Sequence, residues 1–172
     1  MTANHPVWGV YDRLRTARLN VKYYSRRMES AERLNFSIEL ILLISAPSSA
    51  VAGLWFWETE LGNMMWQFFG VIAAFTAVIK PLLSLPKKIK DYESALSGYR
   101  ILDFDLMELK SLIEQRQKYD AGMQKELTKA IQRERQLVGK TPETCEKQKV
   151  KRICEAEVLQ ELPVDSFFVP EN

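Results

Sequence analysis

The 172-residue sequence carries 24 Lys and Arg against 22 Asp and Glu, a formal charge of +2, and 47% of its residues are hydrophobic. That near-neutral mean hides a division between long apolar stretches and strongly charged flanks, which excludes one globular core. The only histidine, His5, and two cysteines, Cys145 and Cys154, cannot assemble a Ser-His-Asp or Cys-His centre or a zinc site, and no glycine-rich phosphate loop occurs. Neither an enzyme nor a cofactor or metal is expected.

Region 1–33 reads as an amphipathic helix. Val10, Leu14, Ala17, Val21, Tyr24, Met28 and Ala31 recur at helical spacing on one face, and Arg15, Arg18, Lys22, Arg26 and Arg33 gather on the other. The basic stripe is suited to fixing topology and touching anionic lipid headgroups, or to capturing a phosphate-bearing ligand. Its spacing singles out no specific nucleic-acid partner.

Region 34–86 holds two apolar stretches, 34–56 and 64–85, joined by a short loop. At about 1.5 Å of rise per residue each is long enough for the ~30 Å hydrocarbon core, so a two-helix transmembrane hairpin is predicted. Trp55, Phe56, Trp57, Trp66, Phe68 and Phe69 form an interfacial belt at the loop end. Cations precede the first stretch and follow the second (Lys87, Lys88, Lys90), while the loop carries only Glu58 and Glu60, which places both termini in the cytoplasm. The first apolar run begins too far into the chain and is too long for a cleavable signal peptide, so the hairpin is expected to be its own anchor.

In an antiparallel hairpin, positions equidistant from the loop lie at equal depth. Glu39, Leu43, Ala46, Ala50 and Gly53 then oppose Lys80, Ala77, Ala74, Gly70 and Gln67, and the small residues at Ala46, Ala50, Gly53, Gly70, Ala74 and Ala77 are expected to close the hairpin. Glu39 and Lys80 would meet inside the cytoplasmic edge of the hydrocarbon, either as a register-fixing ion pair or as part of a pore or gate. Ser37, Ser45, Ser48 and Thr76 lie away from that face and permit a water-lined path, and Pro47 permits a kink at mid-membrane.

Region 87–140 reads as one long, coiled-coil-like cytoplasmic helix. Its seam runs through Tyr92, Ala95, Tyr99, Leu102, Leu106, Leu109, Ile113, Met123, Leu127, Ala130 and Leu137, and Leu102, Leu106, Leu109, Ile113 and Leu127 are the expected oligomerisation contacts. Asp103, Asp105 and Glu108 point different ways on that helix and read as a solvated face. Region 141–172 should begin a last helix at Thr141, Pro142 and Glu143, read as N-cap, first-turn proline and dipole-complementing acid. It ends in a tail whose Phe167 and Phe168 either dock a partner or pack back on the chain.

The fold class is therefore an all-α membrane protein: a transmembrane hairpin, an amphipathic N-terminal helix and a long cytoplasmic helix. The basic helix with Tyr11, Tyr23 and Tyr24, the minimal two-span hairpin and the long helix behind it resemble the SLATT family of bacterial two-transmembrane effectors over about residues 8–140. The resemblance implies a homo-oligomeric effector of an anti-phage conflict system, sited in the bacterial inner membrane. It would be pore-forming, permeabilising or depolarising the membrane when a sensor partner or nucleotide signal activates it. No fused sensor domain is recognisable, which leaves the trigger open. The alternative is a membrane-anchored coiled-coil scaffold that recruits a cytoplasmic protein.

Overall fold

The computed structural model describes residues 5–45, 59–143 and 145–170, and among these all regular structure is helical. In chain order the helices are α1 (Trp8–Ser45), α2 (Glu60–Leu83), α3 (Leu85–Arg116), α4 (Ala121–Val138) and α5 (Gln148–Glu161), followed by a short 3-10 turn, Val164–Ser166. The chain divides into two compact units, one comprising residues 1–28 and 90–172, the other residues 29–89.

The first unit is an antiparallel four-helix bundle built from the first half of α1, most of α3, and α4 and α5. Arg18 meets Asp103, and Tyr24 stacks on Tyr99, as α3 runs back along α1. Lys22 and Arg26 meet Glu157 as α5 does the same. Arg133 of α4 pairs with Asp105 of α3. Val10, Tyr11 and Leu14 of α1 and Leu102, Leu106 and Ile113 of α3 are at most 2% exposed, and Met123, Leu127, Cys154 and Val158 complete the core. The chain thus supplies all four walls itself.

Two expectations are corrected here. Region 87–140 is two helices, because Gln117 takes a positive φ of 50° and Asp120 caps α4, its carboxylate accepting from the Met123 N–H at 3.0 Å. Asp120 is therefore a helix start and not a polar interruption of a continuous seam. The last helix begins at Gln148, with Thr141, Pro142 and Glu143 in the loop before it. Gly98 sits where a Cβ would come within 2.3 Å of Leu137 Cδ2, so the leucine fills the space a larger residue would need.

The tail packs back on the chain. Phe167 stacks on Tyr11 at 4.2 Å, Arg15 lies over the same ring, and Tyr11 donates its hydroxyl proton to the Phe168 carbonyl.

In the second unit, Ala31, Asn35, Ile38 and Leu42 form the more shielded stripe of α1, and Phe69, Ile72, Ala73, Thr76, Ile79, Lys80 and Leu83 form that of α2. Thr59 caps α2, its hydroxyl accepting from the Gly62 N–H. Met64, Phe68, Val71, Phe75, Val78 and Leu82 form an exposed row at spacings of four and three. Among the described residues, one helical stretch, within Gln67–Arg116, is long and apolar enough to cross a membrane, and only 6% of its apolar window is buried in the chain. A soluble core helix would be largely covered. Residues 46 to 56 of the expected first span lie outside the described residues.

Candidate functional site

Charge carried on apolar helices is the feature most in need of a function. Lys80 Nζ stands 3.5 Å from Glu39 Oε1, joining α1 to α2 at the position the equal-depth argument gives. Asn35, one turn before Glu39, donates from Nδ2 to the same oxygen at 3.0 Å, while its Oδ1 is buried without a partner. One carboxylate oxygen thus serves an ammonium and an amide. Sequence reasoning passed over Asn35, although an amide amid apolar positions 34–45 was the available signal.

The other candidates near this group divide. Ser37 donates to the Arg33 carbonyl and Thr76 to the Ile72 carbonyl, so both hydroxyls are satisfied on their own helices. Thr76 also lies on the shielded stripe of α2, not away from it. Gly70, Ala74 and Ala77 are exposed, and a Cβ on Gly70 would meet nothing within 4 Å. The shielded stripe of α2 is turned by about one residue from the small-residue face, toward Phe69, Ile72, Ala73, Thr76 and Ile79. Ala46, Ala50, Gly53 and Ser48, and the side chain of Ser45, lie outside the described residues.

The basic stripe is a packing surface. Arg15 donates twice to the Leu162 carbonyl, at 3.0 and 2.6 Å, Arg18 pairs with Asp103 at 2.9 Å, Lys22 with Glu161 at 2.7 Å, and Arg26 with Glu157. Arg18, Lys22 and Arg26 are thus paired with acids of α3 and α5, and Arg15 is tied to a backbone carbonyl, so all four are engaged within the bundle. Asp103 is correspondingly buried and departs from the solvated acidic face, whereas Asp105, paired with Arg133, stays partly exposed and Glu108 is exposed. The oligomerisation residues fare likewise. Leu102, Leu106, Leu109, Ile113 and Leu127 are at most 5% exposed inside their own chain, so this seam holds helices of one molecule together.

A second polar centre lies in the bundle. Glu143, in the α4–α5 loop, accepts from Arg27 Nε at 2.8 Å and from Arg27 Nη2, and its two oxygens also accept from the hydroxyls of Tyr92 and Tyr23. Tyr23 in turn accepts from the Lys147 backbone N–H at 2.9 Å. Burial by itself would raise the Glu143 carboxyl, but the bonds from Arg27, Tyr23 and Tyr92 outweigh it and hold the group below its ordinary 4.5. Tyr92 is pushed up to about 12, by burial first and then by the Glu143 carboxylate. Tyr24 also reaches about 12, through burial and its neighbour Tyr99.

No protein-family model, curated protein or solved structure matches this chain. Its chemistry is therefore read from the two polar centres alone.

The second centre makes a pH prediction. A depressed folded value means that the stabilisation from Glu143 is complete above about pH 4.5 and is lost as pH falls through the folded value. Raised phenol values mean stability present below pH 10 and lost as pH rises toward about 12. A thermal-midpoint series should be level between these limits and fall on both sides. Glu143→Gln should flatten the acid limb; an unchanged limb would assign it to other carboxylates.

Proposed function

We propose that the chain is a bacterial inner-membrane protein anchored by a two-span hairpin with both termini cytoplasmic, and that it acts as a homo-oligomeric effector which permeabilises or depolarises the membrane. The observation that carries this reading is the Asn35–Glu39–Lys80 group, set in the apolar end of α1 and on the apolar helix α2. An anchor needs no charge, and ionisable groups at membrane depth are costly unless paired or wetted, so a pair kept there points to a polar path or a switch. Because the cytoplasmic seam is occupied within the bundle, the contacts between copies are assigned to the spans, where the exposed row from Met64 to Leu82 is available. Activation is assigned to a sensor partner or nucleotide signal, in keeping with the resemblance to SLATT effectors.

The scaffold reading retains one supporting observation, the exposure of Ile101 and Phe104 on α3, at 49% and 71%. Both readings predict that cysteines placed at residues 59–62 are labelled by an impermeant thiol reagent from outside intact cells while Cys145, exposed on the bundle, is not. They separate on induced expression with membrane-potential and dye-entry readouts. An effector collapses the potential and admits dye, and Glu39→Gln alters that response; a sealed membrane at full expression, with and without infection, would sink the effector reading.

A further inference from the structure

We propose that Tyr23, Arg27 and Tyr92 form an oxyanion receptor whose resting occupant is the chain's own Glu143, and that a phosphate-bearing ligand takes the carboxylate's place and lifts the 139–147 loop from the bundle. The receptor and its occupant differ in kind. The donors project from α1 and α3, two long packed helices, so their convergence is preformed. The acceptor rides on a loop, and the helix that follows, Gln148–Glu161, has Lys147 at its N-cap with no side-chain cap bond. A loop-borne carboxylate is the movable half of the pair.

The arrangement also matches the chemistry of phosphate. A guanidinium fork and two phenol hydroxyls, all donors, surround one anionic group, and Arg27 and Glu143 are only 14% and 11% exposed. Leaving Arg27 in that setting without an anion is unfavourable, so simple opening of the loop is opposed, whereas exchange of one oxyanion for another is not. A groove of about 590 Å³ adjoins the cluster, lined by Tyr24, Tyr99, Thr141, Glu143, Cys145 and Glu146. Its size suits a small ligand. The acid at its rim, Glu146, is neutralised by Lys151 at 2.5 Å and does not repel an incoming anion. Arg27 directly precedes Met28, and Tyr92 follows Lys90 closely, so the receptor sits beside both places where the chain passes between its two units. The receptor itself depends only on the bundle and stands whether or not the effector reading holds.

The test uses the full chain in detergent. Glu143→Ala vacates the receptor, and inorganic phosphate should then raise its thermal midpoint saturably, beyond chloride at equal ionic strength; the rise should vanish in Glu143→Ala with Arg27→Gln. In the unaltered protein, phosphate should speed amide exchange across residues 139–147 several-fold while the α3 core stays protected. The second measurement decides the matter if the alanine variant does not fold. Repeating it without free phosphate, in nanodiscs of phosphatidylglycerol against phosphatidylcholine, distinguishes a lipid headgroup from a soluble ligand. Exchange in the loop that is unmoved by phosphate and by anionic lipid would overturn the proposal, as would a midpoint rise that persists without Arg27.

Discussion

Leu106→Asp unfolds the four-helix bundle. Leu106 is fully buried among the chain's own helices, and an unpaired carboxylate there costs several kcal/mol on top of the lost leucine packing. A domain is stable by about 5–15 kcal/mol, so one such substitution consumes much of the total. Circular dichroism of the full chain should show loss of the cooperative melt, and Cys154, buried in the same core, should become reactive to thiol reagents. Phe104→Asp, two residues away and 71% exposed, should leave the melt nearly unchanged. This is a different outcome from that of an intermolecular seam, where a charge would dissociate oligomers and leave folded monomers. A folded monomer for Leu106→Asp would return the seam to its role between copies.

Exchanging the charges of the Glu39–Lys80 pair should restore what single changes lose. Glu39→Lys places two ammonium groups together, and Lys80→Glu two carboxylates; a charge at the centre of a membrane helix costs up to about 3 kcal/mol, and less toward the edge. With both changes the pair survives with its sign reversed. Recovery should fall short of complete, because lysine near the cytoplasmic surface is favoured by positive-inside topology and by snorkelling. Asn35 adds a directional element, since its Nδ2 donates to Glu39, and in the exchanged protein that donor would face a cation. Asn35→Asp should therefore aid the exchanged protein and impair the original one, read as the detergent-resistant thermal midpoint. Additive losses in the double exchange would show that the two residues are uncoupled.

Periodicity made the buried faces legible but not what they are buried against. Val10, Leu14, Ala17 and Tyr24 were assigned to one face of α1, and Tyr92, Leu102, Leu106, Leu109 and Ile113 to one face of α3; all are buried. A row of leucines at three-four spacing is the same signal whether the facing helix belongs to another molecule or to the same one. The break at residues 117–120 was hidden because the seam skips from Ile113 to Met123, so nothing marked a reversal of direction. For the charged residues, one-dimensional reading failed for a related reason. Arg18 and Lys22 have an exposed-looking helical pattern, and only the return of α5 alongside α1 brings Glu157 and Glu161 to them. Glu39 with Lys80 was legible because equal depth in a hairpin ties two positions by geometry alone. Glu143 was not, since a loop carries no periodicity to fix where its side chain goes.

The closure of α1 by α5 and the tail has a consequence for the order in which the molecule is made. Tyr11 bonds to the Phe168 carbonyl across 157 residues of chain, and Arg15 to that of Leu162 across 147. Contacts so distant in sequence form late, because the chain between them must be ordered first. The apolar helix α2 leaves the ribosome well before Glu157 and Glu161 exist. During that interval the cations of α1 have no acidic partners from α5, and in the topology proposed above they are free to act as the positive charge that would retain a flank on the cytoplasmic side. The same arginines and lysine can thus serve orientation while the chain is growing and packing once it is finished, with synthesis of α5 dividing the two roles in time.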